Sequence, residues 1–292
     1  MKLFALLAFL PLYCAAAQPE AVFHLTPYRK TVAIEASVGG VKGKFAFDTG
    51  AGLTVLDPAF AKRTGCRQRQ RIVGFQMMGK RGEGPYCEDL PVLLGDGAWK
   101  TTAGTVGMED LDKLFGAKIE PIAGILGLDI FEGRTITIDF PAQRLIVESA
   151  ASALERALPA NELPARLTRE MQGRTLSVSV AVPTAEGKVW MELDSGNGGT
   201  LLVSQPYAHL FGLDPKQDKP QKLSFTLPNG LKLDSDMVFT PDMIIDGNIG
   251  MPFLKNVVLT LDLRAGRVWI ARPAASPTSA DRTPAGKCCA SS

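Results

Sequence analysis

The chain has 292 residues, 46% hydrophobic and 21% charged, with a formal net charge of +2. That length suits one large domain or two ordinary ones, with ample apolar material for a core. The charge is dispersed, so neither the basic cluster of a nucleic-acid binder nor the acidic block of a solvated tail is present.

The first stretch is MKLFALLAFLPLYCAAAQPE. Lys2, the apolar run Leu3 to Leu12 and the small residues Ala15-Ala16-Ala17 stand in the order of an export signal. Residues 1–17 are therefore read as a signal peptide and set outside the fold. Pro11-Leu12-Tyr13 is a poor lead-in to a lipidated Cys14. The run is too short to cross a bilayer, and no later segment reaches the required ~18 apolar residues. The expectation is an exported protein, periplasmic or secreted, with no membrane span.

TVAIEASVGGVKGKFAF follows: an alternating strand, a glycine turn, and a strand running into Asp48-Thr49-Gly50. Taken alone, these three residues are ordinary turn chemistry. Cys66 and Cys87 lie 21 positions apart, and an oxidising compartment permits a disulfide between them. The stretch 73–104 reads as a long hairpin turned around Gly79, Gly82 and Gly84, with Lys80, Arg81 and Glu83 between them. A short helix is predicted near MEDLDKLFG. GFQMMGKR nearly spells a phosphate-binding loop, but Arg81 stands where Ser or Thr must hold magnesium. GILGLDIF and the hairpin RTITIDFPAQRLIVE close the first half, and an Ala/Pro/Leu-rich link over 149–173, with a helical turn or more, leads out of it.

From residue 174 the plan repeats. Asp48, Thr49, Gly50, Gly52, Thr54 and Leu56 match Asp194, Ser195, Gly196, Gly198, Thr200 and Leu202 in register. GILGLDIF matches GNIGMPFL, and the hairpin after it matches NVVLTLDLRAGRVWIA. The later pairs, such as Gly127 and Gly250, are 123 positions apart, whereas the aspartates are 146 apart. The first copy therefore carries 23 extra residues, placed in its longer hairpin and helix. KLSFTLPNGLKLDS is the shorter second hairpin, turned at Asn229-Gly230. The predicted architecture is all-β with a few short helices. Two homologous β-rich lobes, 25–148 and 174–272, are related by a pseudo-two-fold axis. The tail 273–292, with Cys288 and Cys289, is expected to be disordered.

With both copies of the motif in register, each with its downstream glycine strand, the sequence resembles the pepsin/retropepsin-like aspartic protease family. The resemblance covers nearly all of the chain after the leader except the link and the tail. It implies a bilobal single-chain acid protease fold, monomeric, needing no cofactor or metal. Its partner would be an extended peptide or protein substrate, not nucleic acid. It implies Asp48 and Asp194 as a catalytic dyad that activates water for peptide hydrolysis, with Thr49, Gly50, Ser195 and Gly196 supporting the loops. Gly127 and Gly250 would be the structural glycines of ψ-shaped loops. The hairpin bearing Gly79, Lys80, Arg81, Gly82, Glu83 and Gly84 would be a flap over the cleft. Two residues depart from the pattern. Asn197 follows the second motif where a small or hydroxyl residue is usual, and Asn248 replaces an apolar residue. An amide beside the carboxylate would alter its proton affinity or crowd the water. The alternative is a catalytically weak or inactive peptide-binding protein that kept the fold.

Other chemistries lack their residues. With His24 and His209 as the only histidines, there is no His-Glu-x-x-His zinc motif, and Ser195 has no Gly-x-Ser-x-Gly setting. Asp110-Leu111-Asp112 and Asp246-Gly247-Asn248 fall short of a calcium loop. Trp99, Trp190 and Trp269 lie at or near strands and read as core, and the paired acids of a glycosidase do not come as this duplicated motif.

Overall fold

A computed structural model describes residues 16–273 except 117 and 119. Most of the proposed leader, including Cys14, and the tail from 274 onward, including Cys288 and Cys289, lie outside the described residues.

The described residues form three sheets. An eight-stranded sheet holds the first half and a seven-stranded sheet the second, while a six-stranded sheet takes strands from both. Strand formation follows side-chain alternation. In Thr31–Val38 the residues facing the core, Val32, Ile34, Ala36 and Val38, are all buried, and Glu35 points to solvent. The core is continuous across the halves, from Phe45, Phe47 and Phe131 to Val180, Met191 and Ile249.

The pseudo-two-fold axis is visible as residues that meet their own copies. In the shared sheet, Thr135–Asp139 pairs antiparallel with Val258–Asp262, and Thr137 lies opposite Thr260. Their buried hydroxyls are 2.9 Å apart, and the two residues are 123 positions apart in sequence, the repeat offset of this region.

Each half contains a threaded loop. Val41–Phe47 runs into Asp48 and Thr54–Leu56 runs away from it. Gly124–Leu126 lies between them, parallel to the first and antiparallel to the second. The second half repeats this with Gly187–Leu193, Leu201–Val203 and Gly247–Ile249. The inserted strand holds the aspartate backbone directly: the Asp48 N–H donates to Leu126 C=O and the Asp194 N–H to Ile249 C=O, each at 3.0 Å. The threading leaves little room. A Cβ on Gly250 would lie 2.5 Å from Asn197 O and 2.7 Å from Thr200 O.

The segment 149–173 does more than link. Ser149 caps the helix Ala150–Arg156 in a reciprocal pair with Ser152. Glu162–Leu163 then pairs with Arg267–Ala271 in the shared sheet, and Ala165–Thr168 pairs with Ser177–Thr184 in the second half's own sheet. Pro164 separates the two strands and lets the chain change sheets.

The long hairpin is formed by Arg71–Phe75 and Arg81–Leu94, closed by backbone bonds from Gln76 N–H to Lys80 C=O and from Gly79 N–H to Gln76 C=O. No helix follows GFQMMGKR, so its glycines serve a hairpin turn. Cys66 and Cys87 form a disulfide with Cα atoms 5.6 Å apart, tying the loop after the helix Pro58–Ala61 to the hairpin's inner strand. Closing a loop of 21 residues restricts the unfolded chain by about 3 kcal/mol. The Cys66→Ser/Cys87→Ser double variant is expected to lose about that much stability, read as a lower denaturant midpoint with a steeper slope, because the unfolded chain is released from the crosslink. No described helix is long and apolar enough to cross a membrane.

Candidate active site

Asp48 and Asp194 arrive at the same place from opposite sides of the axis. The N–H of Gly196 donates to Asp194 Oδ1 at 2.8 Å and to Asp48 Oδ1 at 3.1 Å. One donor thus serves one oxygen of each carboxyl group, which holds the two groups face to face. Gly50 N–H also donates to Asp48 Oδ1, at 2.8 Å. The motif glycines are required by space. Neither has positive φ, but a Cβ on Gly50 would lie 2.6 Å from Asp194 Cγ, and one on Gly196 would overlap the Asp48 carboxyl.

Thr49 and Ser195 lock the loops to each other. Thr49 N–H donates to Ser195 Oγ and Ser195 N–H donates to Thr49 Oγ1, both at 3.0 Å. Thr49 Oγ1 donates onward to Leu193 C=O at 2.6 Å and Ser195 Oγ to Phe47 C=O at 3.1 Å. Both residues are fully buried. The lock is a second point on the pseudo-two-fold, where motif residues 146 positions apart trade bonds reciprocally.

The two acids have different surroundings. Burial raises Asp48 well above the usual carboxylate range, and the neighbouring Asp194 charge adds to the effect. Asp194 is buried and accepts from three donors: Gly196 N–H, Asn197 N–H at 3.0 Å, and the Asn248 amide, whose Nδ2 lies 2.7 Å from Asp194 Oδ2.

The side chains of the two departures from the motif take different positions: one turns away from the carboxylate and the other bonds to it. The Asn197 side chain turns away from the acids. Its Oδ1 accepts from Gly199 N–H, Thr200 N–H and Thr200 Oγ1, and its Nδ2 donates to Thr200 C=O and Asn248 Oδ1. The crowding expected of Asn197 is absent, because its amide closes its own turn. Asn248 makes the contact with the acid and makes it as a donor.

Two further carboxyl groups belong to this neighbourhood. Glu192 lies beside Asn248, 3.4 Å from its amide nitrogen. Asp129, just past the first glycine strand, accepts from Thr54 Oγ1 at 2.8 Å, and Thr54 Oγ1 in turn accepts from Gly127 N–H at 3.3 Å. The unit ties the outgoing strand of the first loop to the threaded one. The signal for it was the contrast between GILGLDIF and GNIGMPFL, which puts Pro252 where the first half has Asp129. Burial pushes Asp129 up to about 6 from its ordinary 3.8, and its Oδ2 is buried without a hydrogen-bond partner. A carboxyl raised in the folded state is penalised only once it ionises, so stability falls as pH climbs from about 4 through about 6. Asp129→Asn keeps an acceptor for Thr54 and carries no charge. It is expected to unfold at higher denaturant than wild type near neutral pH, by about 2–3 kcal/mol, with the gain gone near pH 4.

The hairpin containing Gly79, Lys80, Arg81, Gly82, Glu83 and Gly84 extends to the second half. Met77 C=O at its tip accepts from Ile244 N–H at 3.0 Å. Glu83 is held by Arg71 at 2.9 Å and Arg81 at 2.6 Å. Phe75, Met78 and Ile244 stay exposed around this meeting point. Among the described residues, no group of His, Cys, Asp and Glu is arranged to hold a metal ion.

Comparison with solved structures places this architecture. The basic 7S globulin from soybean superposes with a TM-score of 0.54 over 86% of this chain and 94% of its own, at 12% identity. The chain thus has the two-lobed, mostly β, pepsin-like fold. At that identity the likeness shows the fold alone, and the neighbour bears the name of a globulin. No family model and no curated protein matches the sequence.

Proposed function

We propose that this chain is an aspartic-type endopeptidase that hydrolyses extended peptides in the cleft between its halves, and that it acts after export. The observation that carries the reading is the single Gly196 N–H shared by Asp48 and Asp194. Two carboxyl groups so close do not both ionise in a poorly solvated cleft, so the pair holds one proton. Hydrogen-bond donors favour a charged carboxylate, and the donor count supports one assignment. Asp194, with three donors, carries the charge, and Asp48, raised by burial, keeps the proton.

The chemistry follows from that division of labour. A water between the carboxyl groups gives a proton to Asp194 as its oxygen attacks the peptide carbonyl carbon. Asp48 gives its proton to the carbonyl oxygen, and a neutral gem-diol results. Collapse returns a proton to Asp48 and delivers the one on Asp194 to the amide nitrogen as the C–N bond breaks. No covalent intermediate and no metal is called for. The hairpin would lie over the bound peptide, whose extended backbone suits pairing with a strand edge. The Cys66–Cys87 disulfide supports an oxidising compartment as the place of action.

A second reading, binding without cleavage, draws on the Met77–Ile244 bond that joins the hairpin to the second half. Denatured protein substrate incubated across about pH 3 to 7 separates the two. Cleavage that disappears in Asp48→Asn supports the endopeptidase, and binding with no cleavage sensitive to that substitution overturns it.

A further inference from the structure

The two halves differ at one pair of positions beside the acids. In the first half, Ala46 and Ile125 sit opposite each other on parallel strands and pack in a small apolar cluster with Tyr28, Ala33 and Leu111. In the second half the equivalent pair is Glu192 and Asn248. Side chains two apart on a strand share a face, so Glu192 stands on the face that leads to Asp194. The Asn248 amide nitrogen lies 2.7 Å from Asp194 Oδ2 and 3.4 Å from Glu192 Oε2. Its oxygen is taken by Asn197 Nδ2 at 2.8 Å, which fixes the amide so that its N–H groups face both acids. A carboxyl group and an amide thus replace two apolar side chains at the base of the site, and every side-chain atom of Asn248 that bonds is matched.

We propose that Glu192 is a positioning residue for the dyad: through Asn248 it orients Asp194, and its own carboxyl, once charged, opposes loss of the catalytic proton from Asp48. This rests on the function proposed above. The groups acting on Glu192 come from several elements. Asp194 and Glu170 repel its charge, Ser177 and Asn248 hydrogen-bond to it, and its own charge acts in turn on Asp48. Burial and Asp194 push Glu192 up to about 8, so it is neutral while the site holds one negative charge. As pH rises, ionised Glu192 stands beside the dyad, and like-charge repulsion makes loss of the Asp48 proton harder. The result is activity that persists further toward alkaline pH than the dyad alone would allow.

Glu192→Gln separates this role from a structural one, because Gln still offers Asn248 an acceptor oxygen but never ionises. With wild-type and variant protein, the pH profile of kcat/KM on a peptide substrate is expected to keep its acidic limb and lose about one pH unit at its alkaline limb. An unchanged alkaline limb overturns the proposal. The same comparison by side-chain carboxyl 13C NMR needs no turnover: the Asp48 titration moves to lower pH in Glu192→Gln if the proposal holds and stays in place if it fails. A wild-type protein that cleaves nothing would remove the endopeptidase reading, and the NMR titration would still decide the role of Glu192.

Discussion

Asp48→Asn and Asp194→Asn are each expected to lower kcat by about a thousand-fold or more, with KM nearly unchanged. General acid and general base contributions are each typically worth 10²–10⁴, and here each acid serves in both capacities within one turnover. An amide is close in shape to a carboxyl, so the fold should persist. In Asp48→Asn, Gly50 N–H and Gly196 N–H can still find an acceptor oxygen, and the repulsion between neighbouring acids is gone. The Asp48→Asn thermal midpoint is therefore expected to match or exceed wild type, whereas in Asp194→Asn the new amide faces the Asn248 donor and the midpoint is expected to fall. Steady-state kinetics with a thermal scan on the same preparations checks both statements. Retention of full kcat in either variant would sink the dyad.

The second large effect concerns the lock beneath the acids. Thr49→Val preserves shape but removes Oγ1, leaving Ser195 N–H without its acceptor and Leu193 C=O without its donor. Both lie where water does not reach, and an unsatisfied buried group costs about 1–3 kcal/mol. The expected loss is about 4 kcal/mol in equilibrium denaturation, with kcat reduced as well because the same residue sets the spacing of the loops. Thr49→Ser keeps the hydroxyl and is expected to restore most of both. A Thr49→Val protein within about 0.5 kcal/mol of wild type would show that the reciprocal bonds do not hold the halves together.

The sequence made the duplication legible, and with it much of the fold. Asp48 and Asp194, their flanking strands and the glycine strands all follow from one alignment of the chain with itself. The short helix Leu111–Leu114 and the hairpin at Asn229-Gly230 follow from local turn and capping chemistry. What stayed hidden depends on contacts between distant segments. Glu192 and Asn248 are 56 positions apart and become neighbours only because one strand threads between two others. The alignment did contain a sign, since Ala46 stands opposite Glu192 in it, but a glutamate near the end of an alternating strand reads as a solvent-facing residue. Asn248 appeared as a flaw in an apolar motif because its partners were not in view. The strands within 149–173 were missed for a different reason: two and four residues either side of Pro164 are too few to display a period.

Thr137 lying opposite Thr260 gives the molecule a ruler. In a strand pair, a slip of one residue turns every side chain to the other face. A slip here would turn Ile136 and Ile138 away from the face they pack on and break the hydroxyl contact on the axis. The Thr49–Ser195 exchange would be pulled out of alignment at the same stroke. The gap between the paired carboxyls is thus gauged at two depths by parts that take no share in bond making, so strand substitutions far below the cleft can detune it without touching an acid.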